Sequence, residues 1–202
     1  MLKLTKILFF ILIVSNFAFA QNKDEAFNKL KTKLSNVKSI SFSFDENGNK
    51  GSIKAAKGNK FIIIAGDRKI ISNGKDLWNY STAEKKVMLS EYENSSSMAN
   101  LDDIFMNFST AFKPLSLIKE NASNGGTSNV LILQNNDGKS LKNISEIKIY
   151  SQGNFDEFSA IEIKSKSGTK KFGIKNLQIN PKMKDSQFNF EVPKGVELID
   201  LR

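Results

Sequence analysis

The feature that most constrains this chain is a two-residue hydrophobic alternation, which recurs between short turn sequences. Ile40, Phe42 and Phe44 alternate with serines, Asn47-Gly48 follows, and a second alternating segment lies at 52–56. A side-chain period of two is that of a β-strand with one buried face. Asn-Gly is the dipeptide most typical of a two-residue hairpin turn. This region therefore predicts a β-hairpin.

Similar turn sequences recur farther along the chain. Lys57-Gly58-Asn59, Asn73-Gly74 and Asp137-Gly138 each separate segments that favour strands. Short strands spaced about 8–12 residues apart are typical of antiparallel sandwiches and barrels. No long linker interrupts them, so residues 21–202 are predicted to form a single domain, a large antiparallel sheet with helices covering one face. Further strands are predicted at 61–65, 69–72, 76–80, 87–92, 130–134, 146–150, 161–164, 171–175 and 188–192.

An amphipathic helix is predicted before the first strand. Phe27, Leu30 and Leu34 recur at helical spacing from position 23 onward, which places them on one face. Either Asn22 or Asp24 can cap this helix.

A second helix is predicted in the middle of the chain. Residues 101–108 contain four large apolar side chains at positions i, i+3, i+4 and i+7, the spacing of an amphipathic helix. Phe112 extends the pattern until Pro114 ends it. A further helical turn is predicted at 115–118.

The N-terminus has the parts of a secretory signal peptide. Lys3 and Lys6 precede an apolar run at 7–14, and Ala18-Phe19-Ala20 supplies small residues around a cleavage site. The apolar run is shorter than the roughly 20 residues that span a bilayer. We therefore predict that residues 1–20 are a cleaved signal peptide and that the mature protein lies outside the cytoplasm.

The composition excludes several kinds of chemistry. The 202 residues include no His and no Cys, so no His base, Cys nucleophile, disulfide or Cys/His metal site is possible. No glycine-rich phosphate loop or nucleophile motif occurs. The net charge falls from +9 to +7 if Lys3 and Lys6 are removed, and Arg68 and Arg202 are the only arginines. Proteins that read nucleic-acid sequence favour Arg, so we predict no nucleic-acid binding. From the missing residue types and motifs we also predict no cofactor or metal and no enzymatic activity.

Large apolar residues are concentrated on the predicted sheet and on the second predicted helix. Two interpretations are open: an ordinary aromatic core, or a cavity between sheet and helix that holds an apolar ligand. Methionines would suit an adaptable lining for such a ligand. The candidate lining residues are Phe42, Phe44, Phe61, Ile63, Trp78, Tyr80, Met88, Phe105, Met106, Phe108 and Phe112.

Four segments follow one another in a characteristic order. They are ISFSF at 40–44, GSIKAAKGNKF at 51–61, IISNGKDLWNY at 70–80 and FNFEVPKGVELID at 188–200. In this order, behind a signal peptide and in a chain without Cys, they resemble the LolA family of periplasmic outer-membrane lipoprotein carriers.

The resemblance implies an incomplete antiparallel β-barrel, a strongly curved sheet covered by short helices. Its apolar cavity would hold the acyl chains of a lipoprotein. By position, Phe61, Trp78 and Tyr80 correspond to the family's cavity residues, and Ile63 stands where an aromatic residue is usual. Lys57 corresponds to the basic residue that helps to latch the covering segment over the cavity.

The resemblance also implies partners and a location. The partners would be acylated lipoproteins, an inner-membrane lipoprotein-releasing ABC transporter, and an outer-membrane receptor or the membrane itself. The protein would act as a monomer in the periplasm of a diderm bacterium. The alternative is a protein of the same fold that binds other lipids or glycolipids, or that senses envelope stress.

Overall fold

The computed structural model describes residues 22–92, 108–121, 125–136 and 144–202. The predicted signal peptide at 1–20 lies outside these ranges, as does most of the second predicted helix. The described residues form a long, curved, open sheet of twelve strands with one 13-residue helix against it. The predicted fold class, an incomplete antiparallel barrel covered by helix, is confirmed.

The predicted N-terminal helix is α1 (Lys23–Ser35). Asn22 is its N-cap, and the side-chain oxygen of Asn22 accepts a hydrogen bond from the Asp24 amide at 3.0 Å. The predicted apolar stripe, including Phe27, Leu30 and Leu34, is buried against the sheet. A four-residue helix, α2 (Phe108–Ala111), precedes the seventh strand.

Most of the strands fall where the alternation predicts them. The β2, β3 and β4 strands, for example, are joined by the tight turns expected from the glycines between them. The strands are β1 (Ser39–Glu46), β2 (Asn49–Ala56), β3 (Lys60–Ala65), β4 (Arg68–Asn73), β5 (Asp76–Ser81), β6 (Lys86–Glu91), β7 (Phe112–Asn121), β8 (Thr127–Asn135), β9 (Ile144–Ser151), β10 (Ala160–Ser165), β11 (Gly168–Ile179) and β12 (Glu197–Asp200).

The sheet consists of two meanders joined edge to edge. Its strand order is β12-β6-β5-β4-β3-β2-β1-β11-β10-β9-β8-β7. The β1–β11 pair joins the two meanders and places Ile40 opposite Ile179. The β1–β2 turn has positive φ at both Asn47 (+53°) and Gly48 (+89°), the conformation that Asn-Gly favours in a hairpin. All pairs are antiparallel except β6 with β12, which is parallel.

The two faces of the sheet bury separate clusters of side chains. We call the face that α1 covers the inner face; it carries the main core, which includes Ile40, Phe61 and Leu131. The opposite, outer face carries two smaller clusters. One, which we call the outer cluster, comprises Ile71, Trp78, Val87 and Leu89, with Ile62, Tyr80, Phe190 and Val196 packed against them.

Two predictions in the centre of the chain are wrong. Phe112 begins β7 instead of extending a helix, and residues 115–118 are part of the same strand. Pro114 is compatible with this strand because β7 lies at the edge of the sheet, where only one side requires ladder hydrogen bonds. The register shifts between Pro114 and Ser116, as expected where a proline interrupts the ladder.

The strand predicted at 188–192 is also wrong. Phe188 ends a 3₁₀ turn, Asp185–Phe188, and its side chain is fully buried. The following residues cross the outer face, and Phe190 packs there against Trp78. Phe188 and Phe190 therefore pack onto the sheet from a segment that is not itself hydrogen-bonded as a strand.

Candidate functional site

The inner face contains a cavity of about 180 Å³ between α1 and the sheet. Every described side chain that lines it is apolar, and both meanders contribute to its walls. The lining residues are Leu30 and Leu34 of α1; Phe42, Phe44, Ile53 and Ile63 of β1–β3; and Ile147, Ile149, Phe158, Ile161, Ile163, Phe172 and Ile174 of the segment from β9 to β11.

The first wall follows directly from strand pairing. Phe42 lies opposite Ile53, and Ile53 lies opposite Ile63. Residues that are directly opposite in an antiparallel sheet point to the same face. These three side chains therefore form a row across the inner face. The sequence-predicted residues that line the cavity are Phe42, Phe44 and Ile63.

The second wall was not predicted from the sequence. Ile149 lies opposite Ile161, and Ile147 lies opposite Ile163. These residues form a matching row on the other side of the seam, by which we mean the β1–β11 pair. The Phe172 ring meets the Phe44 ring edge-on, with 5.8 Å between their centroids. The alternation in these strands was visible in the sequence, but it does not show that they face the first meander.

A glycine makes room for the Phe44 ring. Gly51 lies directly opposite Phe44. A Cβ atom built on Gly51 would overlap the tip of that ring and would lie 2.5 Å from the Ile64 carbonyl oxygen. Only a residue without a Cβ allows the ring to cover the strand here, so Gly51 shapes this end of the cavity.

Phe61 and Phe112 belong to the inner core without lining the cavity. Both are almost completely buried, at 2% and 1% exposure, and both belong to the same cluster. The Phe61 ring contacts the Tyr92 ring edge-on at 6.1 Å between centroids. These two residues hold the core around the cavity and leave its inner surface to neighbouring side chains.

Trp78 and Tyr80 face away from the cavity, which corrects their predicted position. Trp78 lies opposite Ile71, which in turn lies opposite Ile62, and Ile62 is next to the cavity residue Ile63. Since successive strand residues alternate between faces, Trp78 is on the outer face. It contributes to the outer cluster with Tyr80.

The remaining predicted residues are placed as follows. Met88 is on β6 and is 38% exposed, and it does not line the cavity. Phe105 and Met106 lie outside the described residues, and Phe108 is the first residue of α2. Lys57 is exposed in the β2–β3 turn, and its amide donates to the Lys38 carbonyl at 3.0 Å.

The titratable groups with shifted pKa values in the second meander (β7 to β11) lie on the outer face. The Tyr150 hydroxyl donates to Glu162 at 3.2 Å, and the Lys148 ammonium pairs with Glu162 at 3.0 Å. Burial, assisted by the negative charge of Glu162, raises the pKa of Tyr150 above its ordinary value. The hydrogen bond to Glu162 raises the pKa of Lys148. None of these groups reaches the cavity, whose described walls contain nothing that titrates.

Two other kinds of site are absent from the described parts of the chain. Within them, no group of three or more acidic side chains is arranged to hold a metal ion. No helix in the same ranges has the length and hydropathy to cross a membrane.

The chain matches a family model described as "Outer membrane lipoprotein carrier protein LolA" over residues 35–191. This match covers well over half of the sequence. The chain belongs to the LolA family. A comparison with curated proteins finds no match to this LolA-family chain. The matched region begins at the end of α1 and includes every cavity-lining strand.

Solved structures resemble this LolA-family protein in fold. A conserved protein from Thermus thermophilus has a TM-score of 0.51 and 10% identity, covering 88% of this chain and 98% of that chain. A LolA superfamily protein from Nitrosomonas europaea has a TM-score of 0.40 and 14% identity, covering 82% and 98%. The Mycobacterium tuberculosis lipoprotein LppX has a TM-score of 0.37 and 10% identity, covering 78% and 95%.

Proposed function

We propose that this LolA-family protein carries acylated lipoproteins by holding their acyl chains in the inner cavity, without catalysing a reaction. The observation that carries the proposal is the composition of the lining, because all thirteen described side chains around the cavity are apolar. Such walls offer nothing for acid–base chemistry and no hydrogen bond for a polar ligand. Burial of hydrocarbon is what they provide.

The size of the cavity fits reversible binding. Its volume of about 180 Å³ is close to that of an engineered apolar cavity of about 150 Å³ that stays dry and binds benzene. It therefore covers about six methylene groups of a longer chain. At about 0.8 kcal/mol each, these contribute about 5 kcal/mol, a dissociation constant between micromolar and millimolar for one such segment.

A longer acyl chain would extend beyond this cavity. Ile53, Ile161 and Ile163 are only partly buried, so the inner face offers further apolar surface beside the enclosed volume. Displacement of Leu30 and Leu34 would open more of it. A carrier that covers chains incompletely can release them to a membrane, which buries the whole chain.

We propose the cellular setting on the same basis. Residues 1–20 would direct the protein to the periplasm of a diderm bacterium and then be removed. An inner-membrane ABC transporter would load the carrier, and an outer-membrane receptor or the membrane would accept the cargo. The description of the matched family as an outer-membrane lipoprotein carrier supports this setting.

Two neighbouring isoleucines of β3 provide the test. Ile63 lines the cavity, whereas Ile64 is on the opposite face and is 42% exposed. We expect Ile63→Glu in the mature protein to weaken binding of a fluorescent C16 fatty acid at least tenfold, because a buried carboxylate is strongly unfavourable. Ile64→Glu should bind within twofold of the wild type, since its carboxylate faces water.

The same pair should separate in a transport assay. Ile63→Glu is expected to fail to release lipoproteins from inner-membrane vesicles, whereas Ile64→Glu releases them normally. Circular dichroism and thermal melting check that both variants fold. Phe61 is a poorer probe because it is 2% exposed, and a charge there would threaten folding itself. Wild-type fatty-acid binding by a folded Ile63→Glu protein would contradict the proposal.

A further inference from the structure

A polar groove of about 440 Å³ lies directly beside the apolar cavity. The two share Phe158 and Ile174 as wall residues. Lys33, in the last turn of α1, lines the groove, while the next residue, Leu34, lines the cavity. A molecule whose hydrocarbon occupies the cavity therefore has a polar compartment at its end.

One side of the groove is a rigidly held loop between β9 and β10. Ser151 is 1% exposed; its hydroxyl donates to the Glu157 carbonyl at 2.6 Å and accepts from the amides of Gly153 and Phe155 at 3.2 Å. Phe155 is completely buried and has a φ of +62°, a conformation rare for a bulky residue. Strained backbone of this kind persists only where its surroundings enforce it, so the loop has a fixed shape.

The other side of the groove is a bulge in β11. Ser41 of β1 lies opposite Gln178, but Ser43 lies opposite Lys175, so β11 has one extra residue between these pairs. Asn176 at this point has a φ of +55°. Successive residues of a regular strand face opposite sides, yet both Lys175 and Asn176 line the groove. The bulge turns them towards the same space.

The groove presents charges of both signs. Asp156 is paired with Lys29 at 3.2 Å. Within the described residues, Lys33, Lys175 and Glu157 are left without an ion-pair partner.

The uncharged polar groups of the groove add both donors and acceptors. The side-chain amides of Gln152 and Asn176 line it, and each amide can donate and accept hydrogen bonds. A peptide backbone needs both kinds of partner. A phosphate offers acceptors and negative charge alone. It would suit Lys33 and Lys175, but the unpaired carboxylate of Glu157 would repel it and would be left without a donor.

We infer that this groove binds the polar head of the ligand whose acyl chains occupy the cavity, and that the head is the first few residues of an acylated peptide. The inference rests on the proposed function, since it needs hydrocarbon in the cavity. It assigns Lys175 and Glu157 the role of contacting the peptide next to its lipidated residue. The carrier thereby distinguishes a lipoprotein from a phospholipid with the same acyl chains.

The test compares three probes on the mature protein. They are a dipalmitoylglyceryl-cysteinyl tetrapeptide, palmitate, and dipalmitoyl phosphatidylglycerol. The variant is Lys175→Ala/Glu157→Ala, which keeps the net charge and alters two exposed side chains. Its matched control, Lys166→Ala/Glu191→Ala, makes the same exchange at exposed positions that do not line the groove.

We expect the groove variant to bind the lipopeptide about tenfold more weakly, because two hydrogen-bonding groups are lost. Palmitate and phosphatidylglycerol should bind it as they bind the wild type, and the control should bind all three normally. Unchanged lipopeptide affinity would overturn the inference, as would an equal loss for palmitate. A loss for phosphatidylglycerol would overturn it in favour of a phospholipid head. Failure of the proposed function is distinguishable, because Ile63→Glu would then leave palmitate binding intact.

Discussion

Substituting Gly51 by alanine sets two physical effects against each other. Glycine in the interior of a strand is less favourable than alanine by roughly 0.5–1 kcal/mol, so backbone entropy alone predicts that Gly51→Ala stabilises the protein. The structure predicts the reverse. The new methyl group would overlap the Phe44 ring and would approach the Ile64 carbonyl to 2.5 Å, and the carbonyl belongs to backbone that cannot rotate away.

The steric effect should win. Overpacking of this kind costs about 1–3 kcal/mol. A central cost of about 2 kcal/mol, less the entropic gain of about 0.5–1 kcal/mol, leaves a net loss of about 1–1.5 kcal/mol. For a domain of this size, that corresponds to a decrease in Tm of about 2–6 °C. Thermal unfolding followed by circular dichroism, with urea unfolding as an independent measure, would detect it.

Gly153 provides the matched control. It lies in the loop between β9 and β10, and a Cβ atom built on it meets nothing within 4 Å. Gly153→Ala should therefore leave Tm unchanged or raise it slightly. In a Phe44→Leu background, the cost of Gly51→Ala should shrink but not vanish, since the Ile64 carbonyl remains. A rise in Tm for Gly51→Ala comparable with that of Gly153→Ala would refute the reasoning.

Two other predictions concern the outer face. The Phe190 ring packs on Trp78 and on Tyr80, with 5.6 Å between the Tyr80 and Phe190 ring centroids. Phe190→Ala should therefore lower the free energy of unfolding, measured by urea titration, by about 2 kcal/mol. Fatty-acid binding should persist in this variant. Stability should also fall as the pH rises above about 10: an unfolded Tyr150 loses its proton there, whereas its raised pKa in the fold keeps it protonated. Urea midpoints between pH 8 and 11 would measure this fall, which Tyr150→Phe should reduce.

The sheet was predictable because its signals are local. Asn-Gly turns and two-residue alternation depend on neighbouring residues, so the first hairpin and the strands from β3 to β6 appear where they were predicted. The capped helix α1 was predictable for the same reason. Residues 115–118 and 188–192 were not, because a short apolar segment follows its tertiary surroundings: an edge position for β7, and docking on the outer cluster for Phe190.

The cavity was predictable only in part. Alternation shows that Phe42 and Phe44 share a face, and that Trp78 and Tyr80 share a face, but it does not show whether the two pairs share the same one. Strand register decides this, and it places Trp78 outside. Ile161 can line the cavity only because β1 pairs with β11, and no local sequence pattern predicts that pairing.

The β1–β11 seam also has a consequence for how the protein folds. Each meander can form from hairpins between neighbours in the chain, but the seam must bring Ile40 to Ile179, and contacts between such distant residues form slowly. The cavity walls come from both sides of that seam. We therefore expect the two walls of the apolar cavity to come together late in folding. Until the seam closes, the chain would expose the apolar side chains that we propose hold the ligand.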